Sequence, residues 1–178
     1  MNKTLKLGAA LGVALGLAAV STSISAHDGA TGVVKERMGS MANLGSAMKG
    51  IKANLQASTK EQNEGLLLAA TMIMEHSGGN LNKLFPKGST DAPSRALPSI
   101  WENKAQFDAI SNRLNDASLA LALNASKALG KDASGLREGL IGERGEIISS
   151  LSDQAVPVIF KTIAGTCGAC HQTYRAPK

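Results

Sequence analysis

Between residues 33 and 55, apolar side chains return at every seventh position: Val34, Met41, Met48 and Leu55. Leu44 and Ile51 fall between them on the same side. That stripe predicts a helix with one buried face, about 35 Å long at 1.5 Å per residue. A second stretch, 61–84, places Leu67, Ala70, Met74 and Leu81 on one face, and Ser77-Gly78-Gly79 marks where it breaks or bends. Residues 85–98 hold Pro86, Gly88, Pro93 and Pro98 among Ser and Thr, the composition of a loop. Its length suits a crossover along a bundle better than a tight turn. Ser99, with Glu102 three residues on, has the form of a capping box. It opens a predicted helix over 100–129 that stops at Gly130. The stretch 131–152 alternates four glycines with Leu136, Leu140, Ile141, Ile147 and Ile148, and reads as a partly helical connection. A last helix is predicted from about 153 to 174 or 175, with Pro157 tolerated in its first turn. Four helices without a strand signal predict an all-α fold, an antiparallel up-down-up-down four-helix bundle.

The first residues alter where that bundle resides. Lys3 and Lys6 precede an apolar run over 7–20, and residues 21–26 are mostly small and polar. This is the form of a secretory leader, with cleavage expected after Ala26. The expected organisation is therefore a leader over 1–26 and a single domain over 27–178, exported to the periplasm. The apolar run is too short and too rich in glycine for a stable membrane span, so no stable membrane insertion is expected. A net charge of +5, with no cluster of Lys and Arg interleaved with aromatics, gives no case for nucleic acid. Aromatic residues are only 3% of the chain. The core therefore lacks its usual bulk, and a large apolar cofactor among the helices would supply it.

The chemistry lies near the C-terminus. Cys167-Gly168-Ala169-Cys170-His171 spells C-x-x-C-H, and these are the only two cysteines. The motif is the attachment signature of a haem c. Each thiol forms a thioether with one vinyl group, and the histidine follows at once so that its imidazole reaches the iron. On a helix the three fall at i, i+3 and i+4, on one face. A thioredoxin-type disulfide would be expected beside a strand in a βαβ unit, and zinc would need about four ligands. The remaining histidines, His27 and His76, read as a tail residue and a helix-surface residue.

The chain resembles the class II c-type cytochromes, the cytochrome c-prime group. These carry C-x-x-C-H near the C-terminus of a four-helix bundle. The likeness rests on Cys167 to His171 followed by Tyr174-Arg175, on Leu97-Pro98-Ser99-Ile100-Trp101 with Phe107 beyond, and on Arg37-Met38-Gly39-Ser40-Met41 with Met48-Lys49 following. It covers the mature chain except 131–152. The resemblance implies one covalently attached haem c on Cys167 and Cys170, with His171 as proximal ligand. In one branch a non-ligating apolar side chain stands four residues after an arginine on the first helix, leaving an open iron that binds NO or CO. In the other branch a methionine ligates there. Arg37 plus four is Met41, which implies the methionine-ligated, low-spin branch. Carried over in the same way, Arg37 reaches a haem propionate, Arg175 lies near the proximal face, and Trp101 packs on the haem edge. A methionine in an apolar stripe is most often plain core. Met38 and Met48 are rival ligands, and Met72 and Met74 more distant ones.

The function expected is a one-electron carrier that meets periplasmic redox partner proteins, and not an enzyme, since no acid–base pair or nucleophile stands out. A gas-binding protein with an open iron, a haem-free thiol–disulfide protein and a haem subunit of a larger enzyme are the alternatives. Members of the group often form homodimers, and no surface patch in this sequence decides that point.

Overall fold

In a computed structural model, described over residues 29–177, the chain is helical. The leader and His27 lie outside the described residues. The elements are α1 (Gly32–Ala53), α2 (Lys60–Glu75), α3 (Gly79–Asn82), α4 (Ser99–Glu102), α5 (Lys104–Ala128), α6 (Ser134–Arg137), α7 (Gly142–Ser152) and α8 (Val156–Tyr174). The long helices α1, α2, α5 and α8 make the four-helix bundle, the architecture that the hydrophobic pattern predicts.

Each long helix begins or ends for a local reason. Thr59 and Gln62 form a reciprocal capping box at the start of α2. The predicted break at 77–79 occurs: Gly78 takes φ +58°, a left-handed conformation that suits glycine. Its N–H donates to the Ser111 carbonyl on α5 at 3.2 Å. Asn115 of α5 donates to the Met74 carbonyl at 3.0 Å and to Ser77 Oγ at 3.1 Å, so the end of α2 is closed from a neighbouring helix. At the end of α5, Gly130 at φ +63° and the bonds Lys131 N–H to Ser126 O and Gly130 N–H to Lys127 O complete a Schellman stop. Pro157 sits in the first turn of α8, as expected.

Two expectations fail. The helix predicted over 100–129 divides at Asn103 (φ −122°, ψ 44°) into α4 and α5. Ser99 is not its cap: Pro98 occupies that position, and the Ser99 hydroxyl donates instead to the Thr173 carbonyl of α8 at 3.0 Å. The stretch 131–152 is partly helical, as expected, and it also packs. Its α7 lies against α5, where Ile148, 1% exposed, joins Leu119, Ala120 and Leu123 with Leu136, Leu140 and Leu151 around them. Because α7 covers the face that a four-helix bundle would leave to solvent, α5 is buried almost all round from Ala117 to Ser126. Small residues there (Ala117, Ser118, Ala120, Ala122, Ala125) let its neighbours approach.

The main core joins Ile51 of α1, Leu66, Ala70 and Ile73 of α2, Leu121 of α5, and Ile159 and Ile163 of α8. A second cluster gathers the aromatics Phe85, Phe107 and Tyr174 at one end, with Ile100 and Trp101. The helices pack in sequence, α1 on α2, α2 on α5 and α5 on α8, while α1 and α8 meet only sparsely. Ile163 is fully buried, and Ile163→Ala should cost about 2–5 kcal/mol in urea unfolding. Leu68→Ala, on an exposed surface, should stay within about 0.5 kcal/mol.

Candidate functional site

The gap between α1 and α8 is a cavity of about 450 Å³, closed at one end by the aromatic cluster. Three predicted residues of α8, Cys167, Cys170 and His171, line it together, as residues at i, i+3 and i+4 must. From α1 come Arg37, Met38, Met41 and Met48. Met41 packs against both the main core and the aromatic cluster. Met72 and Met74 do not line the cavity; both pack against the main core.

Burial sets the protonation of the wall. It pushes the Cys167 thiol up. Burial, with the charge of Cys167 second, pushes Cys170 up to about 11. Burial and then the Arg175 guanidinium pull His171 below the usual histidine value, which favours the neutral imidazole that a metal requires. Arg175 lies on the wall one turn past His171.

Arg37 is 5% exposed, and its surroundings differ from the expectation. Nε donates to the Leu84 carbonyl at 3.1 Å, Nη1 to Ser89 O and Ser94 Oγ, and Nη2 to Ser89 O and Ser89 Oγ. All five N–H donors of a guanidinium are engaged by the crossover 84–94. The Phe85 ring lies 4.2 Å beneath. The group therefore holds the loop to α1 and has no N–H left for a propionate. Trp101 also departs from its expected place. It does not line the cavity; its Nε1 donates to the Phe85 carbonyl at 3.1 Å and fastens the loop from behind. His76 is half-buried rather than on the surface. The Asn43 amide donates to Nε2 at 2.8 Å, which leaves Nδ1 to donate to Ser40 Oγ at 3.3 Å, so it ties α2 to α1.

The sequence reading missed Arg95, which lines the cavity. It lies in the loop that pairs antiparallel with the C-terminal end of α8. Leu97 N–H donates to Tyr174 O, Ala176 N–H to Arg95 O, and Arg95 Nη2 to Ala176 O at 2.6 Å. No periodicity in the sequence marks so short a pairing.

The wall fits a haem. It is largely apolar, and two thiols and a neutral imidazole project into it from one helix face. Among the described residues it carries Arg37, Arg95 and Arg175 but no Asp or Glu, so a ligand bearing carboxylates is accommodated without repulsion. A second cleft, beside Asn112, Asp116 and Arg144, is open, polar and lined by none of the predicted residues.

The sequence profile of the cytochrome c' family matches residues 32–142. The chain belongs to the cytochrome c' family. Cytochrome c-556 of Agrobacterium tumefaciens (strain B2A) is 31% identical over 83% of this chain and 99% of its own. Cytochrome c' of Rhodopseudomonas palustris is 30% identical over 83% of this chain and 84% of its own. Among solved structures, cytochrome c' from Thermochromatium tepidum superposes with a TM-score of 0.60 at 23% identity, covering 82% of this chain and 95% of that one. Cytochrome c' from Rhodopseudomonas palustris gives 0.58 at 26%, covering 84% and 99%. A cytochrome c' described as having ligand-controlled dimer dissociation gives 0.59 at 22%, covering 82% and 95%. Proteins of this family carry covalently attached haem c with iron. The profile match ends before Cys167, so the attachment motif is read from its own residues.

In the haem-free chain, Cys170 should alkylate slowly. With its thiol near 11, about one molecule in a thousand is thiolate at pH 8, and the thiolate is the nucleophile. The iodoacetamide rate should climb with pH towards 11 and should rise in urea at pH 8; a rate at pH 8 unchanged by urea would refute the burial argument. Arg37→Gln strips partners from part-buried carbonyls of 84–94. It should cost about 2–4 kcal/mol, with protease cleavage inside that loop at least about tenfold faster than in the wild type.

Proposed function

We propose that this cytochrome c' family member is a periplasmic one-electron carrier whose haem c is attached through Cys167 and Cys170 and ligated by His171 and Met41. When bound, the haem supplies a single reversible electron, and a methionine sulfur on the iron favours the ferrous state. The observation that carries the reading is that Met41 and His171 line one cavity from two helices that barely meet. The chain's residues do the rest. Two thiols on one face fix the cofactor's position along α8. The neutral imidazole of His171 presents a lone pair at the pH of the compartment. Apolar walls exclude water and keep the reorganisation cost of electron transfer low. The wall offers no general acid–base pair suited to catalysis. The leader over 1–26, the single domain over 27–178 and docking with redox partner proteins belong to the same proposal. No described helix is long and apolar enough to cross a membrane.

One observation favours a second reading, an NO- or CO-binding protein. Gly45, one turn after Met41, also lines the cavity, and the position where its Cβ would stand has no neighbour within 4 Å. That leaves room beside the methionine for a diatomic ligand. The relative with ligand-controlled dimer dissociation suggests a homodimer as the assembly such a ligand would act on.

The absorption spectrum of the holoprotein separates the two. If Met41 ligates, the ferric and ferrous forms are low-spin, the weak far-red sulfur–iron band is present, and CO leaves the ferrous spectrum unmoved. Met41→Ala should then convert the spectrum to high-spin and admit CO. A wild-type spectrum that is already high-spin and shifts with CO would replace the carrier by the gas-binding reading. Met38→Ala and Met48→Ala should leave the far-red band in place.

A further inference from the structure

One side chain outside the cavity ties the helix of Met41 to the rest of the bundle. His76 caps the C-terminal end of α2, and its imidazole reaches across to α1. Nδ1 lies 3.3 Å from Ser40 Oγ, and Nε2 lies 2.8 Å from the Asn43 amide nitrogen. Among the described residues these are the only side-chain hydrogen bonds that join α1 to α2 and its cap. The root of the imidazole is held in turn. Ser77, 1% exposed, accepts from Asn115 of α5 at 3.1 Å. The Gly78 N–H donates to the Ser111 carbonyl, and the Ser111 hydroxyl donates back to the Gly78 carbonyl, each at 3.2 Å. A Cβ on Gly78 would stand 3.3 Å from that of Asn115, so this corner lies directly on α5. The imidazole therefore carries the position of α2 and α5 to one turn of α1.

That turn carries Met41. Ser40 and Asn43, three residues apart, share the helix face on α2. Met41, about 100° round from Ser40, lines the cavity. Arg37 fastens the preceding turn to the crossover loop. The cavity side offers little support, because α1 and α8 meet only sparsely. We propose that His76 is a positioning residue for the sixth ligand: by holding Ser40 and Asn43 it fixes the turn that presents Met41, and so sets how readily another ligand displaces the methionine sulfur from the iron. The inference rests on the reading that Met41 ligates. An external ligand binds only the fraction of molecules whose methionine has let go, so its apparent affinity reports that fraction. A clamp on α1 keeps the fraction small, and its removal raises it.

The test is a cyanide titration of the ferric holoprotein, followed together with the far-red band. His76→Leu keeps apolar bulk but forms neither bond. It should lower the cyanide concentration at half-saturation about tenfold and weaken the far-red band before any cyanide is added. His76→Gln, whose amide can both donate and accept, should recover part of the difference. Asn43→Ala, at an exposed position, removes the shorter bond alone and should move the titration the same way by less. It keeps the test decisive if His76→Leu folds poorly. In a Met41→Ala background, His76→Leu should leave the cyanide affinity unchanged. Ile148→Ala loosens the packing of α7 on α5, away from α1, and should lower the melting temperature without moving the titration. Half-saturation and far-red band equal in wild type, His76→Leu and Asn43→Ala would overturn the proposal. So would a tenfold effect that persists without Met41, since His76 would then act by another route. The same shift in Ile148→Ala would also overturn it, because general loosening would account for the effect. A wild-type ferric protein that is already high-spin and lacks the far-red band would instead bring down the methionine reading, and this proposal with it.

Discussion

The functional end of the molecule depends on α1 and α8 standing apart while each is held firmly by something else. The pair α2 and α5 forms the spine, with α1 packed on the first and α8 on the second. Ile51, Leu66, Ile73, Leu121, Ile159 and Ile163 close the far half completely. At the other half the outer helices leave a gap, whose wall holds Met38, Met41, Gly45 and Met48 on one side and two cysteines on the other. A gap of about 450 Å³ in a close-packed interior is expensive unless it is filled. The low aromatic content fits the same arrangement: the bulk missing from the chain belongs to its cofactor.

What keeps the gap from collapsing is polar. Arg37 holds the crossover to α1 through five bonds and a ring contact. The loop then carries Phe85 to the aromatic cluster, where Trp101 bonds its carbonyl from behind. Farther along, the same loop pairs with the end of α8. One irregular segment thereby links the two outer helices without their touching. A buried guanidinium is costly without a counter-charge, and among the described residues Arg37 joins no ion pair. Carbonyl dipoles meet its hydrogen-bonding needs but leave its charge. Anionic propionates in the same cavity would supply the balance at longer range, even though they gain no N–H from it.

The large features were legible in the sequence because they are periodic or local. A stripe repeating every seven residues fixes α1, a C-x-x-C-H spacing fixes one face of α8, and Gly130 stops α5. What escaped was decided by partners far along the chain. Ser99 has the local form of a cap, but the Thr173 carbonyl is there to accept its hydroxyl. Arg37 was located by its spacing from Met41, yet its donors go to carbonyls some fifty residues away that no spacing rule announces. Trp101 was expected on the haem edge, and the Phe85 carbonyl instead holds its indole N–H away from the cavity. The stretch 131–152 looked weak through its glycines; its order comes from Ile148 seating on α5, a tertiary gain that propensity does not register.

The helix that carries Met41 is poorly secured by its own sequence. The side chain of Thr31 does not cap it, and no acidic residue stands in its first turn. Gly39 and Gly45, on either side of Met41, each cost about 1 kcal/mol relative to alanine in a helix interior. Its position comes from outside: from Arg37 one turn before Met41, from His76 on Ser40 and Asn43 around it, and from packing on α2. A helix of low intrinsic stability, pinned at defined points beside a gap, can yield locally without disturbing the spine. If Met41 ligates the iron, as proposed, it would do so with whatever firmness those pins allow. Under the proposed ligation, ligand affinity at the open side of the cavity and the permanence of a methionine bond would therefore be two readings of one quantity, the free energy of displacing the middle of α1.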